Sequence, residues 1–197
     1  MTSIIHYNQI VQIEKMNLQK GMNFRCNPNY SVLLMSTRDG APFEDEIAAD
    51  GRVLIYEGHN IYKQYTDKDP YTVNQPRQTP KGTLTDNGKF EKAALGFKNN
   101  EREAEIVRVY EKIKDGIWSF NGIFKLVDAY EKSVDERTVF KFILLLTDEE
   151  IDELKENIEI KEHARLIPSK VKAEVWKRDK GQCVECGSKD HLHFDHI

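Results

Sequence analysis

Long apolar runs are missing from this 197-residue sequence. No stretch approaches the ~20 apolar residues that cross a bilayer, and Met1 to Ile13 carries polar residues throughout in place of a secretory core. Those absences exclude a membrane partner and make the cytoplasm the expected compartment. Cysteine is scarce as well. Of three, Cys26 stands far from Cys183 and Cys186, which excludes a disulfide framework. No internal repeat is visible. An excess of positive charge is lacking too: the net charge is −4. Its distribution matters more than its total. Residues 1 to 147 balance at twenty basic and twenty acidic side chains, residues 148 to 164 carry eight acids against two lysines, and residues 165 to 197 carry seven bases against five acids. The acidity therefore sits in one connecting segment, and local patches rather than the total decide contact with phosphate.

What is present begins with alternating and compact apolar stretches. Residues 31–36 form a short apolar run between Asn27-Pro28 and Asp39-Gly40, which predicts a buried strand between turns. A second strand is expected over 52–57 after Asp50-Gly51, and three more over 106–111, 123–130 and 138–146. Residues 4–20 fit neither period and read as a short helix or an irregular lead-in. Residues 60–90 are polar and rich in turn pairs such as Asp69-Pro70 and Asn87-Gly88, which predicts a long loop, functional or mobile, followed by a short helix over 90–97. The fold class is α+β, with a β-rich curved sheet or open barrel over residues 1–147. Thr147 then opens a capping box, and 148–164 is expected to be an acidic helical linker. Pro168 opens a further helix over 168–179, with Val171, Val175 and Trp176 facing inward and Lys172, Lys177 and Arg178 outward.

The densest chemistry lies in the last seventeen residues. Cys183 and Cys186 stand as C-x-x-C before Gly187, a knuckle in which two thiolates converge on one soft cation, most simply structural Zn²⁺. His191 and His193 follow, so a Cys₂His₂ set is an alternative, although its spacing is short for a zinc finger. Asp195-His196-Ile197 ends the sequence. Together with the preceding helix and knuckle, this stretch resembles the start of an HNH nuclease domain of the ββα-metal kind, over about 165–197. The resemblance implies Asp195 as ligand to a catalytic Mg²⁺ or Mn²⁺ and His196 as general base toward the attacking water. The second strand, asparagine and last histidine of that motif are not in the sequence, so a fragment inactive in cleavage is expected.

Several spaced elements between residues 31 and 146 resemble the SRA (YDG) domain, a β-rich module that reads modified cytosine by flipping the base into a pocket. They are the run 31–36 leading to Ala41-Pro42-Phe43-Glu44-Asp45-Glu46, the strand 50–59 with Tyr56-Glu57-Gly58, the pair Asn74-Gln75, Val107-Arg108-Val109, and Phe120-Asn121-Gly122. The resemblance implies Phe43 and Tyr56 as stacking faces and Asp45 or Glu46 as partners of the base edge. Glu57 stands where the family has threonine, and a carboxylate there could accept from an amino or hydroxymethyl group. Without the resemblance, Tyr56 reads as a core aromatic and Asp45 and Glu46 as turn residues. His59 could reach phosphate from its strand end, or be a turn residue with no role.

Joined, these readings imply a DNA endonuclease of the HNH type directed by an SRA-like domain to double-stranded DNA carrying modified cytosine. A homodimer stays open. The alternative from another class is a non-catalytic DNA-binding protein with a structural zinc knuckle.

Overall fold

The structure is a computed structural model, and it describes residues 2–48, 51–147 and 166–195. The expected linker helix over 148–164 lies outside the described residues. Among the described residues, nine strands and three α-helices follow in chain order: β1 (Thr2–His6), α1 (Tyr7–Glu14), β2 (Met22–Asn27), β3 (Tyr30–Met35), β4 (Glu46–Ile47), β5 (Val53–Glu57), α2 (Asp86–Lys98), β6 (Glu105–Lys114), β7 (Ile117–Val134), β8 (Arg137–Thr147), α3 (Ser169–Arg178) and β9 (His193–Phe194). All five expected strands are present. No helix among the described residues is long and apolar enough to cross a membrane.

The strands join in one mixed sheet in the order β2-β3-β6-β7-β8-β5-β4. Only β3 and β6 run parallel within that path; the other neighbours are antiparallel. The long strand β7 organises it. Before Gly122 one edge of β7 pairs with β1, through Ile4↔Ser119 and Ile5↔Trp118, and from Ile123 onward β8 takes its place. Gly122 has φ +106, a conformation disfavoured for residues with a Cβ, and it sits where the β6–β7 register shifts between Val109 and Tyr110. A second shift falls between Leu126 and Asp128. Bulges bend a strand and increase its twist, so the expected curvature has an identified cause.

Both sheet faces are covered. On one, Phe90, Ala93 and Ala94 of α2 pack with Leu33, Met35, Leu54, Tyr56, Phe124 and Phe142. On the other, Ile5, Ile10 and Leu18 from the N-terminal segment pack with Val32, Tyr110 and Phe120. Successive residues of β3 divide between these two cores, Val32 to one and Leu33 to the other, as strand alternation requires. A third cluster joins Ile113 and Ile117 to Ile167 and Phe194, with Val175 and Trp176 against it. β9 also pairs with β1 through Thr2↔Phe194 and Ser3↔His193. The segment from residue 166 is thus packed on the sheet and hydrogen-bonded into it.

The orientation of α3 corrects the expectation from its sequence. Lys172 is fully buried, whereas Val171 is 43% exposed. The reason is electrostatic: Lys172 Nζ donates to Glu111 Oε2 at 2.8 Å and to Asn121 Oδ1 at 2.6 Å. An ammonium out of water has to be paired and hydrogen-bonded, and Glu111 and Asn121 supply both, while Val175 and Trp176 still pack inward as expected.

Candidate functional site

Alternation along β5 decides which side chains can share a site. Leu54 and Tyr56 face the α2 core, so Ile55 and Glu57 face the opposite side. Lys141 pairs across from Glu57 and also across from Tyr130, which places Tyr130 and Lys132 of β7 on that same side. Over it folds the tract after β3, from Thr37 to Glu46. Between tract and strands lies a cleft of about 490 Å³, lined by Phe43, Asp45, Glu46, Ile55, Tyr130 and Lys141 among others.

Asp45 is the acid at the centre of this wall. Its Oδ1 accepts from the Glu57 main-chain N–H at 3.0 Å and its Oδ2 from the Ser36 N–H at 3.1 Å. Burial raises its pKa to about 7, with those two N–H groups and the Lys141 ammonium opposing the rise. Near neutral pH the carboxyl can therefore either accept a hydrogen bond or donate one.

Glu57 lies behind Asp45 at 3% exposure. Lys141 Nζ donates to its Oε2 at 2.9 Å, and the Glu44 N–H does so at 3.2 Å. Arg137 Nη2 and Gln75 Nε2 each donate to its Oε1 at 3.3 Å. A carboxylate offers about four acceptor positions, and all are taken. Glu57 anchors the cleft floor, and the expected acceptance from a hydroxymethyl group has no lone pair left to serve it. Gln75 is equally engaged. Its side chain accepts from Phe140 N–H at 2.8 Å and donates to Gly58 O at 2.6 Å, while Asn74 Oδ1 accepts from Thr138 N–H at 2.8 Å. Asn74 and Gln75 stitch the long loop onto β8.

The structure divides the sequence-derived candidates. Phe43, Asp45 and Glu46 line the cleft together. Tyr56 does not join them: it is 3% exposed in the α2 core, with its hydroxyl donating to Leu34 O at 3.4 Å, because an odd step along a strand reverses the face. The aromatic of the strands that does line the cleft is Tyr130, 42% exposed. Sequence reasoning placed a strand over Tyr130 without assigning its face. Lys141 and Arg137 also went unmarked, although a lysine inside the apolar run 138–146 signals a buried carboxylate partner. His59 is held by Asn60 O at 2.9 Å, and burial lowers its pKa, so the ring is neutral and a poor phosphate ligand.

The cysteine knuckle forms as a turn. Gly187 N–H donates to Cys183 O at 2.9 Å and Cys183 N–H to Ser188 O at 2.8 Å. The main-chain N–H groups of Cys186 and Glu185 lower the Cys183 thiol pKa, a suitable setting for a thiolate ligand. Among the described residues, however, no group of three or more His, Cys, Asp or Glu side chains converges on one point. Cys183, Cys186, His191 and His193 are therefore not brought together as a Cys₂His₂ set; the His193 ring instead lies 3.4 Å from Ser3 Oγ across the β1–β9 pair. Asp195 follows directly on β9, exposed at a strand end. His196 lies outside the described residues.

These elements make a mostly β, mixed sheet with few helices. No protein-family model and no curated protein matches the sequence. Among solved structures, the chain is similar to the SUVH5 SRA domain in complex with hemi-methylated CG DNA, at 16% identity and a TM-score of 0.50, covering 75% of this chain and 88% of that one. It is also similar to the DNA modification-dependent restriction endonuclease AspBHI, at 16% identity, 85% and 44% coverage and a TM-score of 0.49. A third likeness is to the modification-dependent TagI restriction endonuclease, at 18% identity, 93% and 60% coverage and a TM-score of 0.47. The assignment of an SRA-like fold rests on the first of these.

Proposed function

We propose that this chain reads modified cytosine in double-stranded DNA, receiving a flipped base in the cleft between the 37–46 tract and strands β5, β8 and β7. The observation that carries the reading is the cleft itself. It sets an aromatic from each wall, Phe43 and Tyr130, beside an acid poised near neutrality. A flipped base needs stacking surfaces and an edge partner, and nothing more elaborate. The structure of similar fold, SUVH5 SRA, was solved with hemi-methylated CG DNA. Room also favours the reading. At a generous ~30 Å³ per heavy atom, the share of a whole water molecule, a pyrimidine of eight heavy atoms fills about half of the 490 Å³. A substituent on the ring can therefore be accommodated. Arg38 and Lys132 at the margin supply charge for the backbone on either side.

We further propose that the segment from residue 166 belongs to an HNH-type nuclease centre, with Asp195 as a ligand to Mg²⁺ or Mn²⁺, His196 as general base, and Cys183 and Cys186 holding structural Zn²⁺. The strand-end position of Asp195 and the knuckle turn favour it. The described residues supply two knuckle ligands and one carboxylate, which do not complete either metal site, so no hydrolytic step is derived from them.

The test of the reader is a pair of truncations. Stacking of a base on an aromatic contributes roughly 1–3 kcal/mol by alanine substitution. Phe43→Ala and Tyr130→Ala are each expected to weaken binding to a duplex with 5-methylcytosine or 5-hydroxymethylcytosine by about that amount. Binding to the unmodified duplex, which depends on phosphate contacts, should be nearly unchanged. An equal loss on modified and unmodified duplexes would contradict the assignment of the cleft.

A further inference from the structure

The short tract Met35 to Thr37 is gripped from two sides. Toward the cleft, Ser36 N–H donates to Asp45 Oδ2 at 3.1 Å. Away from it, the Thr37 hydroxyl donates to Glu111 Oε1 at 3.3 Å, and Asn121 Nδ2 lies 3.7 Å from the Met35 sulfur. Glu111 and Asn121 are themselves joined, Nδ2 to Oε2 at 2.9 Å, and both are bound by Lys172 of α3. Thr37 lines the cleft; Lys172 does not. A continuous set of contacts thus runs from the cleft wall to a helix in the segment that follows residue 165.

The joint is buried, and each of its charges depends on the other. Glu111 is 1% exposed and Asn121 3%. Burial alone would push the Glu111 pKa up; Lys172 above all, with hydrogen bonds from Ser169 and Asn121, turns the balance downward, while burial lowers the Lys172 pKa in turn, so each charge is kept by the other. With α3 undocked, the carboxylate loses its counter-charge and must either meet water or be neutralised, and either change loosens its hold on Thr37. Asparagine at position 121 suits this arrangement: its amide donates to Glu111 and its carbonyl accepts from Lys172, where a second carboxylate would crowd one lysine with two negative charges.

We propose that Lys172 is a positioning residue for the cleft: by holding Glu111 and Asn121 it fixes the Met35–Thr37 tract, so that docking of α3 and occupation of the cleft by a modified base favour one another. The proposal rests on the cleft being the base pocket. By linkage the coupling is reciprocal, and it is read from either end. Hydrogen exchange of the α3 amides is measured on the full chain, free and saturated with matched duplexes carrying either one 5-hydroxymethylcytosine or unmodified cytosine. The modified duplex is expected to slow exchange over residues 169–178 by at least ~5-fold relative to the unmodified one, the low end of ordinary coupling between sites. From the other end, Lys172→Met is expected to reduce the preference for the modified duplex by a similar factor without weakening the grip on unmodified DNA. A merely structural lysine would change stability and leave that preference alone. If the variant does not fold, the wild-type exchange decides the matter by itself. Equal protection of α3 by both duplexes, or full discrimination by a folded Lys172→Met protein, would overturn the coupling. A wild-type chain that binds both duplexes equally would instead remove the base-pocket reading, and the coupling with it.

Discussion

Glu57 shows how a single buried side chain changes meaning once its neighbours are known. Its position in the sequence suggests a reading head, but its oxygens are occupied by Lys141, Arg137, Gln75 and the Glu44 main chain. Glu57→Thr would leave the Lys141 ammonium, only 4% exposed, without its carboxylate. Breaking a buried pair from one side costs roughly 3–5 kcal/mol. The expected result in urea unfolding is a loss of that order, not a switch of base preference in a protein of unchanged stability. Asp45 yields a pH prediction. Its folded pKa of about 7 lies above the ordinary 3.8, so the folded protein holds the proton more tightly than the unfolded chain. The associated stability is full below about pH 4 and is lost as pH rises through about 7. Asp45→Asn has no such titration. Its stability relative to wild type should therefore rise by roughly 1–2 kcal/mol between about pH 4.5 and pH 8, a figure discounted because the carboxyl keeps partial contact with water. A difference that stays flat across that range would contradict the raised pKa. Among the residues proposed from sequence, Phe43, Asp45 and Glu46 were legible because they lie within four residues of one tract. Tyr56 was not, because parity along a strand assigns its face only after the register is fixed.

At the scale of elements, the sequence disclosed what is periodic and concealed what is irregular. All five apolar runs became strands, since compact β-branched and aromatic stretches between turn pairs leave little alternative. β2 was missed for a physical reason. Arg25 adopts φ +45 and the β2–β3 register shifts between Asn23 and Asn27, so the alternation that would mark a strand is broken. The start of α2 was hidden in the same way. Asn87-Gly88 reads as a turn, yet Thr85 caps the helix through Gly88 N–H and the buried Asn87 side chain binds both main-chain groups of His59. A Cβ at Gly88 would strike Arg77 O, so the glycine there serves close backbone approach rather than a turn. The short strands β1 and β9 depend wholly on partners distant in sequence, Ser119 and Phe194 among them, and no local pattern announces such pairing. Helix α3 was placed correctly along the chain, with Val175 and Trp176 inward and Lys177 and Arg178 exposed as expected; only Val171 and Lys172 exchange roles. That exchange is decided by one ion pair to β6 that hydrophobic periodicity does not encode.

Over the whole molecule, the sheet and the segment after residue 165 are packed together through Ile113, Ile117, Ile167 and Phe194, as well as through Lys172. That packing gives the proposed reader a direct physical connection to the proposed nuclease segment. The net charge of −4 does not oppose the proposed DNA binding, because phosphates meet local charge and not the total: Arg38 and Lys132 both line the cleft. The most direct test of the account is an equilibrium titration of the full chain, at one fixed salt concentration, against three duplexes that differ only in one cytosine: unmodified, 5-methylated or 5-hydroxymethylated. Base flipping costs a few kcal/mol, which stacking and an edge hydrogen bond must exceed for the modified base alone. The account predicts at least one modified duplex bound about tenfold more tightly than the unmodified one, a difference of ~1.4 kcal/mol. Equal affinity for all three would contradict it.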